Sequence, residues 1–350
     1  MWFNTFSTRP LPADAPAGDD ALAGKGAGYV FNPDLEAAID VAIGLGRPLL
    51  VSGEPGCGKT ELGYAVARRL GIDRVQFHST KSTSEARDLF YTYDAVGRFR
   101  EAQIAQIQGG ALADIGDYIE FQALGRAILD AHERADVEHL LRGRNAYRHP
   151  GTPQRSVVII DEIDKAPRDF PNDLLAEIED LSFRVGEFAR AAAGSDATRP
   201  PQTPPGSRIA RAVRPIIIIT SNEERQLPDA FLRRCVFHEI AFPSDTLLAA
   251  IVESGLRRRF PRNAAGGDFT LPPPEQAALI KLLRDFRALA LDKKPGVSEL
   301  IDAATLMAFP QGSTPPPLAD RLRSTGAALA KLKQDRDAFA GLTAATTPTG

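Results

Sequence analysis

The chain has little cysteine, little net charge and no long apolar run, and each shortage excludes something. Two cysteines in 350 residues, Cys57 and Cys235, cannot build a disulfide framework. A net charge of -3, from 42 Lys and Arg against 45 Asp and Glu, argues against a general nucleic-acid footprint, although a local basic patch stays open. No apolar run approaches the length that crosses a bilayer. The opening MWFNTFSTRP lacks a basic stretch followed by a long apolar core, so it does not read as a secretory signal. A cytoplasmic, reducing location is the resulting expectation. Hydrophobic residues make up 43% and charged residues 25%. That balance is ordinary for a soluble protein, and the length suits one large domain with a smaller one.

The most informative stretch present is GEPGCGKT, Gly53 to Thr60, which matches the phosphate-loop pattern G-x-x-x-x-G-K-[ST]. The apolar run before it, Arg47 to Ser52, reads as a buried strand. The segment after it, Glu61 to Leu70, reads as a helix ending at Gly71. The glycines let the backbone wrap phosphate oxygens, with successive N–H groups and a helix start aimed at them. Gly53, Glu54, Pro55, Gly56, Cys57, Gly58, Lys59, Thr60 and Glu61 are therefore candidate phosphate-binding positions. Lys59 would reach the β- and γ-phosphates, and the Thr60 hydroxyl would bind Mg²⁺. Cys57 reads as a small filler within the loop.

Five short apolar runs, Pro48–Ser52, Arg74–His78, Val157–Asp161, Pro215–Thr220 and Cys235–Ala241, alternate with helical patterns and predict a parallel, doubly wound sheet. Val157–Ile160 and Ile216–Ile219 are apolar on both faces, as central strands are. Asn32-Pro33 opens a helix running to Leu45. The sequence FYTYDAVGRFR, Phe90 to Arg100, alternates around Ala95-Val96-Gly97 and predicts a hairpin. Phe183 to Arg214 reads as a second insertion, with Gly194 to Ser207 as a surface loop. Helices are expected over Asp245–Phe260, Pro274–Leu291 and Ser298–Ala308, and one amphipathic helix over Pro317–Leu342. At the other end, Trp2, Phe3 and Phe6 read as a small aromatic anchor packed on the parent domain, ahead of a flexible lead-in from about residue 8 to 27.

VVIIDEIDKAP, Val157 to Pro167, supplies the second motif. A carboxylate at the carboxyl edge of a strand beside a phosphate loop is where a metal and its water are held. Asp161 would take Mg²⁺ through water, and Glu162 would polarise a water attacking the γ-phosphate.

Phosphate loop, apolar-DE strand, TSNEER (Thr220 to Arg225) and LPDAFLRRCVFHEIAFP (Leu227 to Pro243) follow one another as in AAA+ ATPases. More narrowly the chain resembles the MoxR group: DEIDKAPRDFPNDLLAEIED is similar to that group's "DEINRAPP…LLEAMEE" and PDAFLRRCVF to its "PEAQLDRF". The resemblance covers about Tyr29 to Ala308. It implies an α/β fold, a P-loop NTPase parallel sheet (AAA+ core) with a C-terminal all-α lid domain. It implies ATP and Mg²⁺ as cofactors, Asn222 as the sensor-1 residue, and Arg234 as an arginine finger acting in trans, with Arg233 as the alternative. Tyr29 and Val30 stand where relatives hold adenine. The inserts near 90–102 and 183–214 resemble the helix-2 insertion and the hairpin before sensor-1. The implied division is a flexible segment 1–27, a nucleotide-binding core 28–243, a helical lid 244–312, and a linker, helix and tail over 313–350. One departure is visible. Relatives carry a sensor-2 arginine near "GASPR", but Lys294 to Leu300 reads KPGVSEL, and only Lys293 or Lys294 offers a charge.

The resemblance implies a ring homo-oligomer, hexameric in expectation, that hydrolyses ATP to remodel a partner protein, such as one with a von Willebrand factor A domain. A nucleic-acid motor of a restriction or defence complex is the alternative, supported by Arg257-Arg258-Arg259 and the arginines of Arg142 to Arg148; nucleic acid is otherwise not the expected partner. A nucleotide-gated scaffold with little hydrolysis is the non-enzymatic alternative.

Overall fold

The computed structural model describes residues 6–8, 24–108, 111, 113–143, 147–191, 202–259, 270–308 and 316–345. They belong to two compact units. The first lies within Met1–Ala23, Pro33–Ser52 and Val66–Glu239, the second within Gly24–Asn32, Gly53–Ala65 and Ile240–Gly350.

A five-stranded parallel sheet organises the first unit. Its strands are β1 (Leu49–Gly53), β2 (Val75–Ser79), β5 (Val157–Asp161), β6 (Ile216–Ser221) and β7 (Val236–Ile240), in the order β2-β5-β6-β1-β7. The parallel register sets Ser52 beside Ser221, Ile160 beside Ile219 and Ser79 beside Asp161. β6 is buried along its whole length and β5 up to Asp161, as expected of β-branched strands covered on both faces. All five apolar runs of the sequence became strands of this sheet.

Helices α1 (Pro33–Leu45) and α2 (Lys59–Leu70) flank β1 in sequence, and each stops at a glycine with positive φ, Gly46 and Gly71. The N–H groups of Arg47 and Ile72 then turn back to the carbonyls of Ala42 and Ala67, closing the ends in the usual glycine-terminated way. α4 (Ala123–Asp130) is buried nearly throughout. Phe121, Leu124, Ile128, Val158, Ile160, Phe170 and Phe231 belong to one continuous core. Short helices α5 (Arg134–Val137), α6 (Phe170–Asp173), α7 (Leu175–Asp180) and α9 (Asp229–Leu232) connect the rest. Phe6 is fully buried, with its N–H on Asp40 Oδ1 at 2.7 Å and the Arg69 guanidinium 4.4 Å over its ring. Trp2 and Phe3 lie outside the described residues.

Two expectations need correction. Phe90 to Arg100 is not a hairpin: β3 (Tyr91–Tyr93) ends at Asp94, and helix α3 (Ala95–Gln108) begins where the turn was expected. Asp94 explains the switch, because its Oδ1 accepts the Gly97 N–H at 2.8 Å and its carbonyl the Arg98 N–H at 3.1 Å, an N-cap. β3 instead pairs antiparallel with β4 (Ile119–Phe121), beyond the helix. In the second insertion, Arg184 bridges Gln202 in antiparallel fashion and α8 (Gly186–Ala191) follows. Most of the expected surface loop there lies outside the described residues.

The second unit contains α10 (Asp245–Arg259), α11 (Pro273–Arg287) and α12 (Val297–Ala308), packed around Leu248, Leu283, Phe286 and Leu300. The single helix expected over 317–342 is three: α13 (Leu318–Ser324), α14 (Gly326–Leu329) and α15 (Lys333–Ala345). Extended backbone at Ala330 breaks the run. The break folds α15 back, so that the Phe339 ring takes the space where a side chain at Gly326 would stand. Leu332, expected on the apolar face, sits at the break and is 43% exposed. No helix of the described residues is long and apolar enough to cross a membrane.

Candidate functional site

β1 runs directly into the GEPGCGKT loop. Gly53, Gly56 and Gly58 all have positive φ, at 148, 78 and 92°, a region that only glycine enters cheaply. Space adds a second reason at Gly56, where a Cβ would lie 2.6 Å from Ser298 Oγ. Lys59 is 6% exposed, and its ammonium donates to the carbonyls of Gly53 (2.7 Å) and Glu54 (2.9 Å). Among the described residues no carboxylate reaches it. A buried ammonium without a counter-charge is costly unless an anion joins it. The Cys57 thiol is pushed up by burial, and the neighbouring Lys59 only partly offsets this, so it is a poor nucleophile.

Several groups pack on this loop from within the second unit. The Tyr29 ring lies 3.4 Å from where a Gly58 Cβ would be and packs on Phe31 at 4.9 Å. Burial pushes the Tyr29 hydroxyl far above the ordinary tyrosine range, with Cys57 and Glu61 adding to the effect. Val30 is partly buried beside it. Glu61 accepts the Gly26 N–H at 2.7 Å and pairs with Arg258 at 3.2 Å. The Ser298 N–H at the start of α12 donates to the Gly56 carbonyl at 3.3 Å. An arginine also reaches the loop from α11. Arg287, at the end of α11, reaches Glu54 Oε2 at 2.6 Å and the Pro295 carbonyl at 2.5 Å, and stacks 3.7 Å over Phe242. Sequence reading passed over Arg287, since an arginine at the end of an amphipathic helix looks like any solvated one.

The acidic edge lies in the first unit. β5 ends at Asp161, whose Oδ1 accepts the Thr220 hydroxyl at 2.7 Å. The same hydroxyl accepts the Glu162 N–H at 2.8 Å. Glu162 has left-handed backbone, φ 56 and ψ 52, a rare state for a non-glycine that recurs at functional sites. Its side chain is shared: Oε1 accepts the Asn222 amide at 3.0 Å and Oε2 the Lys165 ammonium at 2.5 Å. Glu162 in turn holds Lys165 protonated beyond the ordinary lysine range. Asp164, 2% exposed, accepts the Asn222 and Glu224 N–H groups at 3.1 and 2.9 Å and so fixes the turn after β6. The structure thus brings Asp161, Glu162 and Asn222 together and adds Thr220, Asp164 and Lys165. Of the three additions, the i,i+3 spacing of Glu162 and Lys165 was the one visible signal.

The two finger candidates stand apart from this cluster. Arg234 pairs with Glu179 at 3.0 Å and donates to the Ala230 carbonyl at 3.1 Å, while Arg233 is exposed. Cys235, next in sequence, is pushed up to about 12 by burial. The basic run Arg257-Arg258-Arg259 is neutralised within the unit by Glu253, Glu61 and Asp302.

A parallel sheet in this order, with a glycine-rich loop leaving β1 and a carboxylate pair leaving β5, defines a P-loop nucleoside-triphosphatase fold. Residues 49–244 match the family "ATPase family associated with various cellular activities (AAA)", and the chain belongs to that family. Among solved structures, PCH-2 of C. elegans is similar at 14% identity and a TM-score of 0.41, over 88% of this chain and 72% of that one. No curated protein matches.

Proposed function

We propose that the chain is a MoxR-like AAA+ ATPase that hydrolyses ATP in a ring, a hexamer in expectation, and uses the cycle to remodel or activate a partner protein in the cytoplasm. The carrying observation is the Glu162 carboxylate held between the Asn222 amide and Lys165 at the edge of β5. A glutamate in strained backbone, oriented by an amide, has a use in activating water and little use in binding alone. The residues present fit the implied groups. The positive-φ glycines and the buried Lys59 suit a phosphate chain, and Tyr29 and Val30 suit the base. Thr60 and Asp161 would hold Mg²⁺, which when bound neutralises phosphate charge. Glu162 takes the proton of the attacking water, and Asn222 positions it. Arg234, its surface pair with Glu179 worth little, is free to exchange onto a neighbouring subunit's nucleotide as the finger. Arg287 takes the place of the missing sensor-2 arginine. Residues 28–243 act as the nucleotide-binding core and 244–312 as its lid. A partner with a von Willebrand factor A domain follows from the MoxR resemblance.

Steady-state ATP hydrolysis against protein concentration tests this. Turnover rises cooperatively with concentration in the parent. It falls at least about 100-fold in Glu162→Gln with ATP binding kept, and about 1,000-fold in Arg234→Ala. Lys59→Ala loses it altogether. Turnover flat with concentration and undiminished in Arg234→Ala would remove the trans finger. The pair between Glu162 and Lys165 supports one second reading, a nucleotide-gated scaffold, because a carboxylate committed to a lysine is a weaker base. Bound nucleotide without turnover at any concentration would favour that reading.

A further inference from the structure

The two ends of the sheet differ in chemistry. The carboxyl edges of β5 and β6 lead into the acidic cluster. At the amino edges, an arginine stands two residues before each of three adjacent strands: Arg47 before β1, Arg155 before β5 and Arg214 before β6. With Arg211 they line a cavity of about 230 Å³ in the first unit, completed mainly by the last turn of α1, Ala42 to Gly46. Among the described residues no carboxylate lines it.

Two of these arginines are engaged with backbone. Arg155 donates to the carbonyls of Arg214 at 2.9 Å and Arg211 at 3.0 Å, and Arg211 donates to the Gly44 carbonyl at the end of α1. Those contacts satisfy chain ends and shape the cavity. Arg214 is different. Its Nε is buried and among the described residues has no hydrogen-bond partner, and burial holds its pKa below the ordinary arginine value. It lies against Gly46, where a Cβ would come within 3.0 Å of Nε. Gly46 therefore serves twice, ending α1 at φ 64 and leaving room for the guanidinium. Arg47 is exposed at the rim. Among the described residues no carboxylate pairs with either Arg47 or Arg214. A half-buried guanidinium with an unmet donor is costly, and an anion in the cavity would remove the cost.

We propose that this cavity, at the amino edges of the strands, binds a small phosphate-bearing molecule. Guanidinium forks match phosphate oxygens in paired hydrogen bonds, and four cations around one concavity sum their potentials. The volume falls below the roughly 300–1,000 Å³ of drug-sized sites. It suits a phosphoryl group with a small body, not a second nucleotide.

The test uses the full chain carrying Lys59→Ala, so that the phosphate loop does not compete. Inorganic phosphate, pyrophosphate and glycerol 3-phosphate are titrated by calorimetry and by shift in melting temperature. Saturable 1:1 binding with Kd at or below about 1 mM is expected, weakened at least about tenfold by adding Arg214→Gln or Arg47→Gln. Arg47 is on the surface, so its variant carries the test if Arg214→Gln does not fold. Tighter glycerol 3-phosphate than inorganic phosphate assigns the site to phosphomonoesters, and the reverse assigns it to the free anion. No saturable binding of any probe, binding unchanged in both variants, or an acidic peptide or oligonucleotide bound there in place of the probes would overturn the proposal.

Discussion

Lys59 and Arg287 bring two cations to one glycine-rich loop, and their partners set them apart. The Lys59 ammonium rests on the carbonyls of Gly53 and Glu54, while Arg287 takes the Glu54 carboxylate and stacks on Phe242. Arg287 is only 10% exposed, so its pair is less screened than the usual surface pair. Its stacking and forked donors are features that lysine lacks. Replacing Arg287 with Ala should cost about 1–3 kcal/mol, from the unpaired Glu54 and the lost packing on Phe242. Arg287→Lys should recover less than half of that loss. Thermal melting of the three proteins measures it, and equal melting temperatures would mean that the contact is incidental. The phosphate loop and the DE pair were legible as motifs because their spacing is local. Arg287 was not, because at a sequence separation of 233 no pattern pairs it with Glu54.

At the scale of elements, strands were legible wherever burial on both faces produced a run of β-branched residues. That is why β5 was placed at its observed bounds and β6 within a residue; the shorter apolar runs of β1, β2 and β7 were also placed within a residue, although β2 and β7 are only partly buried. Reading failed where period and capping competed. Tyr91 and Tyr93 alternate with Thr92 as a strand does, and Ala95-Val96-Gly97 was read as the turn of a hairpin. Asp94 ends the alternation. Its carboxylate caps α3, and its own N–H donates to the Tyr118 carbonyl at 2.9 Å, alongside the β3–β4 pairing. α3 buries none of its residues, so it has little packing to hold it and depends on its cap. Asp94→Ala should remove about 1 kcal/mol from the first turn of α3. Amide exchange there should then quicken about fivefold, while exchange in buried α4 stays unchanged. Equal exchange in α3 would show that its start is fixed by other contacts. The break at Ala330 was illegible for a related reason: helical spacing continues through it, and the break is imposed by the packing of Phe339 on Gly326.

At the scale of the molecule, the pattern of buried polar groups predicts how stability responds to acid. Burial lowers the pKa of His78, His132 and His238 below the ordinary histidine value, and among the described residues the buried Nε2 of each has no partner within hydrogen-bond geometry. His132 is the most enclosed, at 3% exposure, with its Nδ1 on the Ile128 carbonyl at 2.8 Å. Protonation would place a charge in the core, and its desolvation outweighs the nearby backbone carbonyls. The folded chain therefore binds fewer protons than the unfolded chain just below the unfolded histidine pKa of about 6.5. Stability is full above that value and is lost as the pH falls through it toward the folded pKa values. Most carboxylates titrate lower, near about pH 4, so the window from about pH 7.5 to 5.5 isolates the histidines. The melting temperature of the first unit should fall across this window, and His132→Gln should flatten the fall, because glutamine has no proton to gain. Melts at both pH values for the parent and the variant decide it. A melting temperature that rises on acidification, or an equal fall in His132→Gln, would mean that the His132 environment relaxes enough to hydrate the charged ring.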